Sequence, residues 1–157
     1  MSDLVTRAVE YATQAHARID QRRKYSNQPY DVHLKSVANL IREVVDDDEM
    51  IAAAWLHDTV EDTPATVQDI EREFGMSVAA LVSELTDVSR PGDGNRAARK
   101  RIDRLHLAKA SARAKTIKLA DLIDNCRDIC RHDNRFCKVF LSEMEALLGV
   151  LQELSLI

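Results

Sequence analysis

The stretch Leu56-His57-Asp58-Thr59-Val60-Glu61-Asp62-Thr63 brings one imidazole and three carboxylates into six consecutive positions, His57 to Asp62. On a helix His57 and Glu61 lie one turn apart, as do Asp58 and Asp62, so the four line one broad face. A helix C-terminus already carries partial negative charge, and three carboxylates there are unfavourable unless a cation answers them. The preceding run, Ile51-Ala52-Ala53-Ala54-Trp55-Leu56, reads as buried. Leu56 and Val60 continue its apolar face, which draws His57 and Asp58 inward, where unpaired charge is costly. A bound metal ion is the economical compensation; a solvated acidic helix end is the alternative reading of such a run.

A second segment, KTIKLADLIDNCRDIC, supplies a further carboxylate. Lys118, Asp121, Asn125 and Asp128 fall on one helical stripe, beside an apolar stripe of Leu119, Leu122, Ile123, Cys126 and Cys130. Asp121 sits between Ala120 and Leu122, an apolar setting for a charged group. The remaining nitrogen ligand is sought among His16, His33, His106 and His132, of which His33 opens a helix just after Pro29-Tyr30. Two imidazoles and two carboxylates form a borderline-hard set that suits Mn²⁺, Fe²⁺ or Zn²⁺ better than Ca²⁺.

These residues must be positioned by helices. The chain of 157 residues is long enough for one domain with a sizeable core, and its 45% hydrophobic and 31% charged residues are an ordinary globular balance. Four glycines and three prolines leave few turns, and the abundance of Ala, Leu, Arg, Glu and Asp favours an all-α fold, a single compact unit over residues 1–157. Apolar spacing predicts helices over 3–20, with Ser2 and Asp3 as caps, and over about 33–45, with Leu34, Val37, Ala38, Ile41 and Val45 inward. A continuous third helix over about 49–62, stopped by Pro64, carries the acidic stretch. Then come VQDIEREF behind a Thr66-x-x-Asp69 capping box and closed by Gly75, MSVAALVSELTDV, a basic helix over 95–109, and two long helices over 111–131 and 134–154. The tract SRPGDGN is the best candidate for disorder.

A net charge of −4 argues against a globally basic nucleic-acid binder, and the one dense basic segment, RAARKRIDR, lacks interleaved aromatics; it reads as a solvated helix face or a contributor of phosphate contacts. No apolar run approaches the roughly 20 residues of a membrane span, and MSDLVTRAVEY has no signal-peptide core, so a cytoplasmic protein without membrane partners is expected. Cys126, Cys130 and Cys137 are expected as reduced thiols, being odd in number and without metal-binding spacing. PGDGN lacks the glycine spacing and Lys-Ser/Thr of a phosphate loop. His16, His106 and His132 read as ordinary helix histidines.

The order QRRK, PYDVH, AAWLHDTVEDT, FGMSVAALVSELTDVS, IKLADLIDN resembles the hydrolase domain of RelA/SpoT proteins within the HD-domain metal-dependent phosphohydrolases, and is most similar to the stand-alone small alarmone hydrolases of the Mesh1-like group. The similarity runs from about residue 10 to residue 130. It implies an all-α hydrolase with one Mn²⁺ that removes pyrophosphate from the 3′ position of the alarmones ppGpp and pppGpp, giving GDP or GTP. By the same resemblance His33, His57, Asp58 and Asp121 are the metal ligands, and Glu61-Asp62 is the catalytic pair. Arg23 and Lys24 bind the nucleotide, Asn125 lies near the nucleoside, and Arg99-Lys100 could reach phosphates. Such a site activates water beside the metal, with Glu61 or Asp62 taking its proton and cationic side chains stabilising charge on the pyrophosphate.

The loop YSNQPY after Lys24 is shorter than in the family and lacks an acidic residue directly after Lys24; the tail beyond Asn125 is short, and Phe140 stands where a tyrosine is often found. All these departures touch the nucleotide pocket and not the metal. No synthetase segment accompanies the hydrolase motifs, so synthesis is not expected. Two alternatives are an HD phosphohydrolase of another nucleotide or a dinucleotide cofactor phosphate, and a non-catalytic nucleotide-sensing helical module. The intact Glu61-Asp62 pair argues against the second.

Overall fold

The computed structural model describes residues 1–152. Its helices are α1 (Asp3–Arg18), α2 (Asp31–Val44), α3 (Asp48–Leu56), α4 (Thr59–Asp62), α5 (Val67–Phe74), α6 (Met76–Leu85), α7 (Arg96–Ala108), α8 (Ala112–His132) and α9 (Asn134–Leu148). No strand is present among the described residues beyond an isolated bridge between Arg22 and Pro29. None of these helices is long and apolar enough to cross a membrane.

Most helices begin where the sequence offers an acceptor for the free N–H groups of a first turn. Ser2 Oγ accepts from Val5, Asp47 Oδ1 from both Glu49 and Met50, Asn95 Oδ1 from Ala98, Ser111 Oγ from Ala114 and Asp133 Oδ1 from Phe136. Thr66 and Asp69 form the expected reciprocal capping box of α5. Gly75, at φ +92°, ends α5 and lets α6 start at once, in a region that a residue with a Cβ enters at a cost.

The centre of the molecule is α3. Every residue from Met50 to Leu56 is buried, so this helix is apolar all round, as a helix enclosed on every side must be. Helices α1, α2, α6 and α8 pack against it. The inward residues expected of α2 are all buried, and α1 contributes Val5, Ala8, Ala12 and His16 at helical spacing. Each fully buried Leu or Ile adds on the order of 1.5–3 kcal/mol, so the α3 sandwich is where the fold is secured. A smaller apolar cluster, Leu107, Leu122 and Leu151 with Phe140, Met144 and Leu147, ties α7, α8 and α9 together.

Several expectations change. The continuous helix over 49–62 is broken: α3 stops at Leu56 and α4 begins at Thr59, with Asp58 at φ −100°, ψ 0° between them, where the helical ladder lapses. The segment 76–88 is helical only to Leu85, where Thr86 turns its hydroxyl back to Val82 O (2.7 Å). The tract expected to be disordered forms a 3₁₀ turn at Pro91–Asp93. Asp103 pins its approach by accepting from the N–H groups of Val88 and Ser89 and from the Ser89 hydroxyl. The cysteines are not all reduced: Cys130 and Cys137 form a disulfide joining the last turn of α8 to the first turn of α9, and Cys126 is free. An odd count hid a pair that the α8–α9 turn brings together. Of the apolar stripe assigned to α8 only Leu122 is buried; the buried face runs through Ala114, Ile117, Ala120, Asp121 and Asp124. The last helix ends at Leu148, and the final part of its expected range, 153–154, lies outside the described residues.

Candidate active site

His33 lies in the first turn of α2, His57 and Asp58 form the α3–α4 break, and Asp121 projects from the middle of α8. One ligand atom from each of the four lies within 4.8 Å of every other. The helix break makes this possible. Consecutive residues on a continuous α-helix point about 100° apart, whereas here His57 Nε2 and Asp58 Oδ2 approach to 3.1 Å. His33 Nε2 and His57 Nε2 lie 3.0 and 3.3 Å from the same oxygen, Asp121 Oδ1.

Each imidazole is fixed from behind. His57 Nδ1 donates to the Ala54 carbonyl at 2.6 Å, and His33 Nδ1 is held by Asp124 Oδ2 at 2.6 Å. Both rings thus turn their Nε2 atoms to the carboxylates, the arrangement that orients metal-ligating histidines and raises their basicity. Tyr30 donates its hydroxyl to Asp58 Oδ2 (2.7 Å), while Lys118 Nζ and Asn125 Nδ2 hold the two oxygens of Asp121 (3.0 and 3.1 Å).

The electrostatics describe a site organised around missing positive charge. Burial works to keep His33 neutral, yet its hydrogen bonds to Asp121 and Asp124 raise it to about 9. His57 is likewise driven well up, its burial outweighed by Asp58 and Asp121. Burial alone would raise Asp58, but His57 pulls it down to about 2, and Asp121 is held well below the usual carboxylate range against its burial by Lys118 and the two imidazoles. Protons on the two Nε2 atoms occupy the space where nitrogen lone pairs and carboxylate oxygens converge. A divalent cation carries the same charge, so the donor set and its fixed orientation fit one.

The other sequence-derived residues fall at different distances from this cluster. Glu61 and Asp62 lie on α4, beside it. Partial desolvation and the charge and hydrogen bond of Asp87 push Glu61 up to about 8. Asp62 is raised by desolvation and by Asp58, and accepts from Gln21 Nε2 at 3.1 Å. Asn125 touches Asp121. Arg23 stands behind the cluster, its Nη2 bridging Asp124 Oδ2 (3.0 Å) and Asp128 Oδ2 (3.2 Å). Lys24 is not brought to the four ligands; its Nζ lies over the rings of Tyr25 and Phe136. Two clefts border the site. One, a narrow cleft of about 40 Å³, is lined by Lys118, Asp87, Lys100, Arg104 and His106 among others; the other, more open at about 450 Å³, by Arg23, Asp124, Arg127, Asp128, Arg131 and His132 among others.

Sequence reasoning missed Tyr30, Asp124, Asp87 and Gln21. Asp124 was findable, three residues beyond Asp121 on the same helical face. Asp87 and Gln21 carry no local signal, because each lies in a turn whose path only the packed helices decide.

The protein-family model described as HD domain matches residues 8–144. The chain belongs to the HD-domain family. An HD domain implies a divalent cation, and the cluster of buried His33, His57 and Asp121 with half-buried Asp58 is a donor set that could hold it. This HD-domain chain is 40% identical over 124 residues to a Drosophila melanogaster protein, guanosine-3′,5′-bis(diphosphate) 3′-pyrophosphohydrolase MESH1, covering 77% of the chain and 66% of that relative. It is 37% identical over 131 residues to the Xenopus tropicalis protein of the same name, covering 82% of the chain and 70% of the relative. The chain thus spans about two thirds of the length of these relatives. Its fold matches the solved structure of a metazoan ortholog of SpoT, described as hydrolysing ppGpp, with a TM-score of 0.85 and 33% identity over 97% of this HD-domain chain and 87% of the other.

Proposed function

We propose that this HD domain is a metal-dependent hydrolase that removes the 3′-pyrophosphate of guanosine alarmones, ppGpp and pppGpp, to give GDP or GTP and pyrophosphate. The observation that carries the reading is the convergence of two Nδ1-anchored imidazoles and two carboxylates within 4.8 Å, beside the Glu61-Asp62 pair. The relatives' names supply the substrate. His33, His57, Asp58 and Asp121 are the assigned ligands, and Mn²⁺ is the assigned ion, with Fe²⁺ or Zn²⁺ meeting the same donor set.

The ion, when bound, supplies a Lewis acid that makes water nucleophilic near neutral pH and offsets phosphate charge. The chain's own groups then divide the proton work. Asp62, oriented by Gln21, accepts a proton from the attacking water. Glu61, whose carboxyl partial desolvation and Asp87 push up to about 8, is the group assigned to deliver one to the 3′ oxygen as its bond to phosphorus breaks. Arg23, Lys24 and Asn125 are assigned to the substrate; a guanidinium has five N–H donors, and those of Arg23 not engaged by Asp124 and Asp128 remain for the nucleotide.

A Mn²⁺-supplemented assay over a panel of nucleotides, with metal analysis, tests this. Pyrophosphate release from ppGpp is expected, with turnover abolished in Asp58→Ala. Orthophosphate release from other nucleotides with ppGpp untouched would overturn the substrate. Full turnover in Asp58→Ala would overturn the site.

A further inference from the structure

One buried titratable side chain outside the cluster has an unusual bonding pattern. His16, in the last turn of α1, is 1% exposed. Its Nδ1 lies 2.6 Å from Gln21 Oε1, while its Nε2 is buried with no hydrogen-bond partner among the described residues. The other end of the same amide, Gln21 Nε2, donates to Asp62 Oδ2 at 3.1 Å. Donor and acceptor roles along this line are determined. A carboxylate only accepts, so the amide must present its N–H to Asp62 and its oxygen to His16; that oxygen only accepts, so Nδ1 must carry the imidazole proton. With the single ring proton on Nδ1, Nε2 presents a bare lone pair without a partner, a buried unsatisfied acceptor of the kind folds avoid unless something is gained.

The backbone is built to keep Gln21 there. Asp20, at φ +49°, turns the chain back over the end of α1. The Gln21 N–H donates to the His16 carbonyl (3.0 Å), and the Gln21 carbonyl accepts from the Tyr30 N–H (3.2 Å). The His16 ring also packs on Tyr30, with centroids 4.9 Å apart, and Tyr30 in turn holds Asp58. One connected unit, with His16 buried and Gln21 and Tyr30 half-buried, therefore backs both a candidate ligand and a member of the candidate catalytic pair.

We propose that His16 and Gln21 are positioning residues, a hydrogen-bond relay that fixes the Asp62 carboxylate in its working orientation through the Nδ1–H tautomer of His16. The relay rests on the assignment of Asp62 to catalysis. Its role is to spare Asp62 a rotamer search in each turnover, so it belongs to kcat and not to substrate affinity.

Two measurements test it. In the metal-free protein, long-range ¹H–¹⁵N correlation of the histidine rings reads the tautomer directly, with His16 assigned by loss of its signals in His16→Asn. An Nδ1–H ring with bare Nε2 is expected; an Nε2–H ring overturns the relay without reference to activity. In the metal-loaded enzyme, Gln21→Leu and His16→Phe are expected to lower kcat about tenfold while KM stays within about twofold and metal content is unchanged. His16→Asn, whose amide N–H reaches the position of Nδ1, is expected to recover most of the loss, which a merely space-filling role would not produce. Unchanged kcat in Gln21→Leu and His16→Phe beside an impaired Asp62→Asn overturns the relay alone. Full turnover in Asp62→Asn overturns the relay together with the catalytic assignment beneath it.

Discussion

Asp124 shows how much of the site lies one step behind the ligands. Its Oδ2 accepts both from His33 Nδ1 and from Arg23, so it fixes the imidazole plane and is itself held by a nearly buried guanidinium. Partners of this kind affect metal affinity by roughly 10- to 100-fold. Asp124→Ala is expected to weaken Mn²⁺ binding by that factor, read by titration of the metal-free protein; unchanged affinity would remove the role given to Asp124. Glu61 sets a pH dependence. Its folded value is about 8 against an ordinary 4.5. Between the two the folded chain keeps a proton that the unfolded chain has released, so this group makes metal-free stability fall as the pH rises through that window, with no contribution to the slope outside it. Glu61→Gln removes the group, and its melting temperature should decline less than the parent's from about pH 5 to about pH 8. Parallel curves would contradict the shifted carboxyl.

At the scale of elements, the α3–α4 break matters most. A continuous helix would turn His57 and Asp58 away from each other; the bridge-region dihedrals of Asp58 let both face Asp121. What keeps α3 itself in place is its N-terminus. Asp47 caps two N–H groups and also accepts from Arg113 of α8 through both oxygens, so one carboxylate both starts α3 and docks it to the helix that brings Asp121. Asp47→Ala is expected to destabilise the protein by about 1–2 kcal/mol, chiefly through the lost cap, measured by urea unfolding with the slope unchanged. The helix periods and approximate bounds of most elements, and the caps at Ser2, Thr66 and Gly75, were legible in the sequence because they depend on neighbours within four residues. The break was not, since His57 and Asp58 both keep side chains compatible with a helix, and the reason to leave it comes from α2 and α8.

Across the whole molecule, the candidate ligands come from α2, the α3–α4 junction and α8, so a bound ion would staple three separate segments of the chain. Binding to the native state alone stabilises it by about 2.7 kcal/mol at a hundredfold excess over Kd. Addition of Mn²⁺ to chelator-treated protein should therefore raise the melting temperature, and Asp121→Ala should abolish the rise; an equal rise in that variant would relocate the metal. Stability should also be uneven. No residue of α9 is buried; it leaves Val139, Leu141 and Leu148 exposed and is fastened by the half-buried Phe140, Met144 and Leu147, the Cys130–Cys137 bridge and the Arg96–Glu143 pair. Amide exchange should be fastest there and accelerate on reduction, with α3 unaffected. Equal acceleration in α3 would mean that the bridge supports the core.

The sequence by itself determined the all-α class, most helix boundaries, the buried faces of α2 and α3, and the residue types that could bind a metal, since periodicity and capping are written in local order. Only the tertiary structure decided that His57 and Asp58 act from a helix break, that Arg23 stands behind Asp124, that Cys130 reaches Cys137, and that His16 ends in a line leading to Asp62. Each of these depends on where a turn carries the chain after it leaves a helix, and that path is set by helices distant in sequence packing around α3.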